Sequence, residues 1–433
     1  MTSGGKLILT NSCLSNLPMY MMGFYMLPKG VHKKMDAIRA KFFWQGAGEQ
    51  SKYHMAKWIA MARPKAQGGL GIINTLLMNE CLITKWIWKI DKRLNELWYK
   101  ILDAKYMKGK GFLGSSCQGA SQFWKGLHKV KHLYNWGAEY KVHKGSAVRF
   151  WQDNWLGGLP LRIQYRHIFE ICQNPEATVK SMWKESGWDI PLRRSLHGAV
   201  LDEWNDFQEV LQEVSLDGLG EDDVSWVLEK SGKFTTRSLY TCLTHGGVRD
   251  KVNELIWGCR MPLKVKVFLW QVFHRKLQTA SSLTKRGWQG SPLCCICPVS
   301  ETVNHLLFGC VFAQYVWSCI RDAFNLHTFL TSIHDVTSQW VPRRLGISKK
   351  LCFTLFAGVT WAIWKNRNKM AIEKRFPNSP DVVIHSAINL LQTWTDLQRE
   401  SDRAKMKEMV QSLSDWMVKK DHSINSLSDV MVI

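Results

Sequence analysis

The chain has 433 residues, 45% of them hydrophobic and 22% charged, with a formal net charge of +22. That composition excludes a low-complexity or disordered chain and supplies cores for about two to four domains. The charge favours a polyanionic partner over a neutral one. The 22 Trp predict cores rich in aromatic rings. The charge is uneven: residues 1–150 carry +17, residues 151–250 carry −6 and residues 251–433 carry +11. A basic surface gains affinity by releasing counterions from a nucleic-acid backbone. The two basic regions are therefore the expected nucleic-acid faces, and the acidic middle reads as a spacer.

Taken in chain order, residues 6–26 predict a core helix broken near Pro18 and Gly23. The segment is too polar for a secretory signal or a membrane span, so no membrane partner is expected. The chain reads as beginning inside a domain. Val31 to Trp44 predicts an amphipathic helix with Val31, Met35, Ile38, Phe42 and Phe43 inward and Lys33, Lys34, Arg39 and Lys41 outward. Residues 46–51 read as a polar loop. Gly68-Gly69-Leu70-Gly71 lacks the spacing of a phosphate loop and reads as a tight turn. Asn74 caps a helix running to about Lys89, Leu94 to Lys105 continues helical, and Ser121 to Leu133 predicts a helix with a basic face. The period then changes. Ala147 to Trp151 predicts a strand, Pro160 to Ile171 a short helix and Leu201 to Val214 a helix. Residues 222–228 and 233–236 predict a hairpin around Ser231-Gly232. After a linker at 245–250, helices are expected at 253–257, 264–274, 311–324, 351–371 and, long and charged, at 382–418. The tail from His422 reads as frayed.

Within the last basic region lies the spacing C-x2-C-x7-H-x4-C: Cys294, Cys297, His305 and Cys310. Two thiols three positions apart grip one ion from a turn, and His305 with Cys310 closes the other side. Thiolate sulfur and imidazole nitrogen suit tetrahedral Zn²⁺, and four protein ligands leave no position for a reactive water, so the zinc is expected to be structural. Cys295 is an alternative ligand, disfavoured because only Cys294 and Cys297 have the usual two-residue gap. The single cysteines, Cys13, Cys81, Cys172, Cys242, Cys259, Cys319 and Cys352, read as small buried hydrophobes. The basic residues nearest the cluster in sequence, Lys264, Lys266, Arg275, Lys285 and Arg286, are the candidate nucleic-acid contacts. Phe268 and Trp270, at helical spacing, read as core rather than as base-stacking surfaces.

Several blocks in order resemble the carboxy-terminal part of a plant LINE-type (non-LTR) retrotransposon reverse transcriptase. They are Lys6 to Tyr20, Phe42 to Gly46, Lys57-Trp58, Pro64-Lys65 with Gly68 to Ile72, and Met78-Asn79 with Lys85-Trp86. Phe150-Trp151-Gln152-Asp153-Asn154-Trp155 is similar to a short F-W-x-D-x-W block. Gly232 to Thr235 with Ser238 and Tyr240, Ile256-Trp257, Pro262 to Trp270, Leu277 to Thr279 and Lys285 to Gly287 lead into the Cys/His cluster. Glu301-Thr302 precedes His305-Leu306, and Trp361 to Asn368 follows. The resemblance spans about residues 6–370. It implies a reverse transcriptase zinc-binding domain in which Cys294, Cys297, His305 and Cys310 are the zinc ligands, and a thumb-like region at the start.

The expected organisation is a basic helical region (1–140), a mixed α/β spacer (141–230), the zinc-binding domain (231–330) and a helical region (345–420). The fold class is mainly α with a small α+β middle region and a helical zinc-binding domain in the C-terminal half. A polymerase needs paired aspartates holding two metal ions. No F/Y-x-D-D run is present, and Asp222-Asp223 reads as an acidic turn. No nucleophile elbow, HExxH or Walker set appears, and the resemblance implies that the endonuclease and ribonuclease H parts lie elsewhere. The expectation is a non-enzymatic, nuclear, RNA- or DNA-binding tail of a retrotransposon protein, read as a truncated insertion. The competing expectations are a zinc-stabilised protein-interaction module and a decayed remnant.

Overall fold

The computed structural model describes residues 1–45, 53–93, 96–108, 111–184, 187–216, 220–327, 330–338 and 348–430; the expected loop at 46–51 lies outside them. The described chain is mainly helical with two small two-stranded sheets. It forms two compact units. One gathers Met1–Leu14, Met35–Ile73 and Gly246–Ile433; the other gathers Ser15–Lys34 and Asn74–His245. No described helix is long and apolar enough to cross a membrane.

In the unit containing Asn74–His245, the Asn74 side chain accepts from the backbone N–H of Leu76 and Leu77 and so caps the helix Thr75–Asp91, satisfying donors that a helix start leaves open. One turn on, Asn79 is fully buried. Its amide donates to the carbonyls of Met22 (2.7 Å) and Tyr25 (2.9 Å) and accepts from Leu27 N–H (2.9 Å), fixing the preceding loop. At the other end Asp91 accepts from the hydroxyls of Tyr134 (2.7 Å) and Tyr140 (2.5 Å). Burial pushes the Asp91 carboxyl above its ordinary range against those two hydrogen bonds.

The strands differ from expectation. Asp223–Trp226 pairs antiparallel with Ala138–Lys141, in the register Ala138 to Trp226 and Lys141 to Asp223, rather than with 233–236. Trp226 decides this. Its indole is buried against Gly137, where a Cβ would come within 2.8 Å of the ring. Residues 233–236 instead start the helix Thr236–Thr244, whose cap is the Thr235 hydroxyl accepting from Ser238 N–H. Ala147 to Trp151 forms only a single bridge, Arg149 with Thr178. Asp153 bends this segment into a turn by accepting from Arg149 N–H at 2.8 Å and from its guanidinium at 2.5 Å. Phe150, Trp151 and Trp155 thereby pack with Trp188 and Phe207. The acidic run is used structurally. Asp222 accepts from the N–H groups of His143, Gly145 and Ala147, while Asp223 pairs with Lys92 at 2.7 Å.

In the unit containing Gly246–Ile433, the first helix, Ser3–Leu9, passes into a wider π turn at Thr10–Leu14, so the expected helix to residue 26 ends early. The helix Lys29–Gln45 exists, but its inward face is not the expected one. Ile38 and Val31 are exposed, whereas Arg39 is 2% exposed. Its guanidinium pairs with Asp36, donates to Ile73 O (2.8 Å) and lies 5.3 Å from the Trp58 ring. An apolar stem and a planar, weakly hydrated guanidinium let Arg be buried where an ion pair, a carbonyl and an indole face receive it. The glycine turn is observed, with Gly68 at φ 86° and Gly71 at φ 67°.

The helices Leu263–Phe273, Val311–Ala323, Lys349–Ala371, Asp381–Thr395 and Glu400–Val430 enclose the largest core. Phe268 and Trp270 are buried in it or its neighbour, as their spacing predicts. The single helix expected over 382–418 is two. Gln398 breaks it, turned inward with its amide donating to the carbonyls of Arg260 (2.7 Å) and Trp394 (2.9 Å). The second helix continues to Val430, so His422 to Val430 is helical rather than frayed; residues 431–433 lie outside the described residues.

Three helices meet at Asp381. Its Oδ1 accepts from the Tyr315 hydroxyl and the Lys420 ammonium, each at 2.5 Å, and its Oδ2 from Ser379 Oγ at 2.8 Å. Burial raises the carboxyl, but these donors outweigh it and hold Asp381 below its ordinary 3.8. A depressed folded pKa contributes stability above the unfolded value, lost as pH falls through the folded one. Asp381→Asn is therefore expected to destabilise by about 1 kcal/mol at pH 7, with a smaller difference from wild type at an acid pH below the ordinary 3.8, where the folded carboxyl begins to take up its proton. Urea midpoints at the two pH values test this.

Candidate metal centre

Cys294 and Cys297 sit in a tight knuckle. Cys294 N–H donates to Val299 O and Val299 N–H to Cys297 O, both at 2.8 Å, and Leu293 bridges Ser300. Ile296 N–H points at Cys294 Sγ, 3.5 Å away. The other two candidates come from a wide turn. His305–Gly309 is π-helical and closes with Cys310 N–H donating to His305 O at 2.7 Å. A π turn is wider than an α turn, and here it sets His305 and Cys310, five positions apart, on the same side. Thr302 Oγ1 accepts from His305 N–H at 3.1 Å and fixes where that turn starts.

The four donor atoms lie within 4.8 Å of one another. Cys294 Sγ and Cys297 Sγ each lie 3.9 Å from Cys310 Sγ, and Cys297 Sγ lies 3.2 Å from His305 Nε2. A disulfide needs about 2.05 Å between sulfurs, so these are not bonded pairs. Zn–S bonds of about 2.3 Å give an S···S edge of about 3.8 Å in a tetrahedron, and the observed separations fit that edge. Cys295, between the pair, is not one of the four that converge.

Electrostatics set the terms for an ion here. Burial pushes the Cys310 thiol up to about 12, raises Cys297 and lowers the His305 imidazole. Three thiols at this spacing resist becoming thiolates on their own, because each negative charge opposes the next. A divalent cation reverses the balance by pairing with them, and a neutral imidazole is the form that ligates. The donor set thus fits Zn²⁺ with its coordination closed.

Behind the cluster is a contact that spacing did not reveal. Glu301, 1% exposed, receives the Arg367 guanidinium on both oxygens, with Nε to Oε2 at 2.8 Å and Nη2 on Oε1. Ala280 N–H also donates to Oε1 at 2.8 Å, and the Ser281 hydroxyl donates to Glu301 O at 2.7 Å. Arg367 also lies 5.2 Å from the Trp364 ring. The blocks around Glu301-Thr302 and Trp361 to Asn368 are separate in sequence but joined here by a buried bidentate pair. The signal was present as a charged residue inside each apolar block; its partner was not readable.

The candidate nucleic-acid residues divide into two sets. Arg275, Lys285 and Arg286 line one cavity of about 790 Å³ with Ser282, Thr302 and Asn304. Lys264 is exposed but does not line it. Lys266 is half-buried and donates to Trp257 O at 3.0 Å, and burial pushes its ammonium below the ordinary lysine value. It is the least suited of the five to grip a phosphate.

Residues 234–317, which include all four donors, match the family described as zinc-binding in reverse transcriptase. Over 385 residues the chain is 27% identical to a putative ribonuclease H protein of Arabidopsis thaliana, covering 84% of this chain and 60% of that protein. It is 22% identical over 142 residues to an uncharacterized mitochondrial protein of the same plant, covering 32% of this chain and 92% of that one. The chain spans less than two thirds of the first relative. Together the matches support a retrotransposon-related protein.

Two outcomes follow. Purified chain is expected to hold one zinc, kept in Cys295→Ser and lost in Cys297→Ser, measured by elemental analysis with circular dichroism under chelator. Arg367→Met, which strands the buried Glu301 carboxylate, is expected to cost about 3–5 kcal/mol in urea unfolding, and adding Glu301→Gln to recover part of that loss.

Proposed function

We propose that this chain is the zinc-built, non-catalytic, nucleic-acid-binding portion of a plant LINE-type retrotransposon reverse transcriptase, acting in the nucleus. The observation that carries the reading is the convergence of Cys294, Cys297, His305 and Cys310 within a segment that matches a zinc-binding family. Zinc bound there is structural: it ties the knuckle at 294–297 to the turn at 305–310 and leaves no coordination position for a reacting water. The ion's contribution is local folding energy.

Binding is assigned to the basic surfaces. Residues 251–433 carry +11, and three cations border one cavity beside the cluster. Their contact is with phosphates, so affinity is expected to depend on salt more than on base sequence. Among the aromatic residues of the motif helix, Phe268 and Trp270 are core and do not stack on bases.

The test is fluorescence anisotropy of the whole chain with RNA and DNA oligonucleotides of scrambled sequence across a salt series. Three phosphate contacts on a single strand give a log–log slope of about −2, a loss of roughly tenfold or more between 50 and 200 mM salt. Absence of binding at the lowest salt would refute the nucleic-acid reading. A protein partner bound without salt dependence would put the zinc-stabilised interaction module in its place.

A further inference from the structure

The five basic residues named from sequence share one neighbourhood in the chain, yet only three share a site. Arg275 follows the helix Leu263–Phe273 in the left-handed region, at φ 53°. A non-glycine residue there is uncommon, and it directs the side chain out of the helix end. Lys285 and Arg286 follow the short helix Ala280–Thr284. Arg286 donates to Met55 O at 2.9 Å, which holds its guanidinium in place. These three cations border the same cavity of about 790 Å³, and no carboxylate is among the described residues that line it. Its remaining polar residues are Ser281, Ser282, Thr302, Asn304, Ser332 and His334; among them the Ser282 and Thr302 hydroxyls and the Asn304 amide are donors of the kind that meet phosphate oxygens. A concave site with one sign of charge focuses potential on whatever enters.

The shape argues for backbone rather than base. No Phe, Tyr or Trp is among the described lining residues, and His334 is the one ring among them, so the broad stacking platform that sequence-tolerant single-strand binders use for bases is missing. Arg275, Lys285, Arg286, Thr302 and Asn304 are all exposed, so the cavity opens to solvent and a polymer's backbone can reach its rim. The walls are also rigid where they matter. Ser281, beside Ser282, and Ala280 are bound to Glu301, which Arg367 clamps, while Thr302 caps the turn that carries His305. The metal cluster and the cavity therefore share a wall.

We propose that the cavity bordered by Arg275, Lys285 and Arg286 is the site at which this chain grips the phosphodiester backbone of a nucleic acid, with Ser282, Thr302 and Asn304 as neutral donors and with Lys264 and Lys266 outside it. This rests on the nucleic-acid reading above and goes beyond it by naming one site.

The experiment compares two doubly substituted full-length chains of equal charge. Arg275→Asn with Lys285→Gln removes two cations from the cavity; Asn tolerates the left-handed backbone, and Arg286 is left to hold Met55. Lys374→Asn with Lys365→Gln removes one left-handed residue (φ 57°) and one exposed helical lysine elsewhere. Both are checked for zinc content and helicity, then titrated with a fluorescent single-stranded oligonucleotide across a salt series. The cavity variant is expected to lose about tenfold or more in affinity at low salt, with the slope reduced in magnitude by about 1.4; the control is expected to lose markedly less. If the cavity double variant misfolds, Lys285→Glu alone, on an exposed side chain, supplies the same comparison. Equal losses in both variants, or an unchanged slope in the cavity variant, overturn the site while leaving nucleic-acid binding in place. A wild-type chain that binds no oligonucleotide overturns both.

Discussion

Arg367 and Glu301 are removed from water together, the guanidinium set in two parallel contacts on the carboxylate. Neither charge is tolerable in that environment without the other. The pair therefore requires the C-terminal part of the helix Lys349–Ala371 to lie against the loop that leads into the metal-ligand turn. From that point the remaining local structure follows. Glu301 takes Ala280 N–H and Ser281 Oγ–H, which fixes the short helix Ala280–Thr284 and with it the origin of Lys285 and Arg286. One residue further, Thr302 sets the start of the turn that holds His305.

The pair also explains how a metal cluster and a basic cavity coexist. The cluster gathers groups that become negative on binding an ion, and the cavity gathers positive ones; they lie on either side of the same 301–305 segment. A buried, internally neutral pair between them adds no net charge to either. The other unit is held differently, by indole and phenyl rings packed around a turn that Asp153 closes and by a carboxylate, Asp91, shared between two tyrosines. Its acidic loop is occupied in holding backbone N–H groups rather than arranged as a pair of metal-binding carboxylates.

Much of the helix layout was legible because 3.6-residue periodicity and capping side chains are local properties. Asn74 and Ser121 each mark the helix start they cap. The readings that failed were those where a long-range contact outweighed local pattern. Arg39 reads as outward because it is charged, but two partners from distant positions, Ile73 O and the Trp58 ring, together with Asp36 one turn away, bury it. Residues 147–151 alternate like a strand, yet one carboxylate two residues on turns them into a bend. The helix expected over 382–418 lacks any Gly or Pro, and its break is set by one inward glutamine reaching Arg260.

By itself the sequence determined the donor set of the candidate metal centre, since residue type and spacing state which atoms are available and how far a short loop reaches. It determined the sign of the charge around that centre and the burial of Phe268 and Trp270. Tertiary structure decided which basic residues line one cavity, separating Arg275, Lys285 and Arg286 from Lys264 and Lys266, and it paired Glu301 with Arg367 across 66 residues. The reason is that ligand spacing is a property of one short loop. Cavity walls and buried ion pairs join segments whose separation in the chain carries no record of their distance in space.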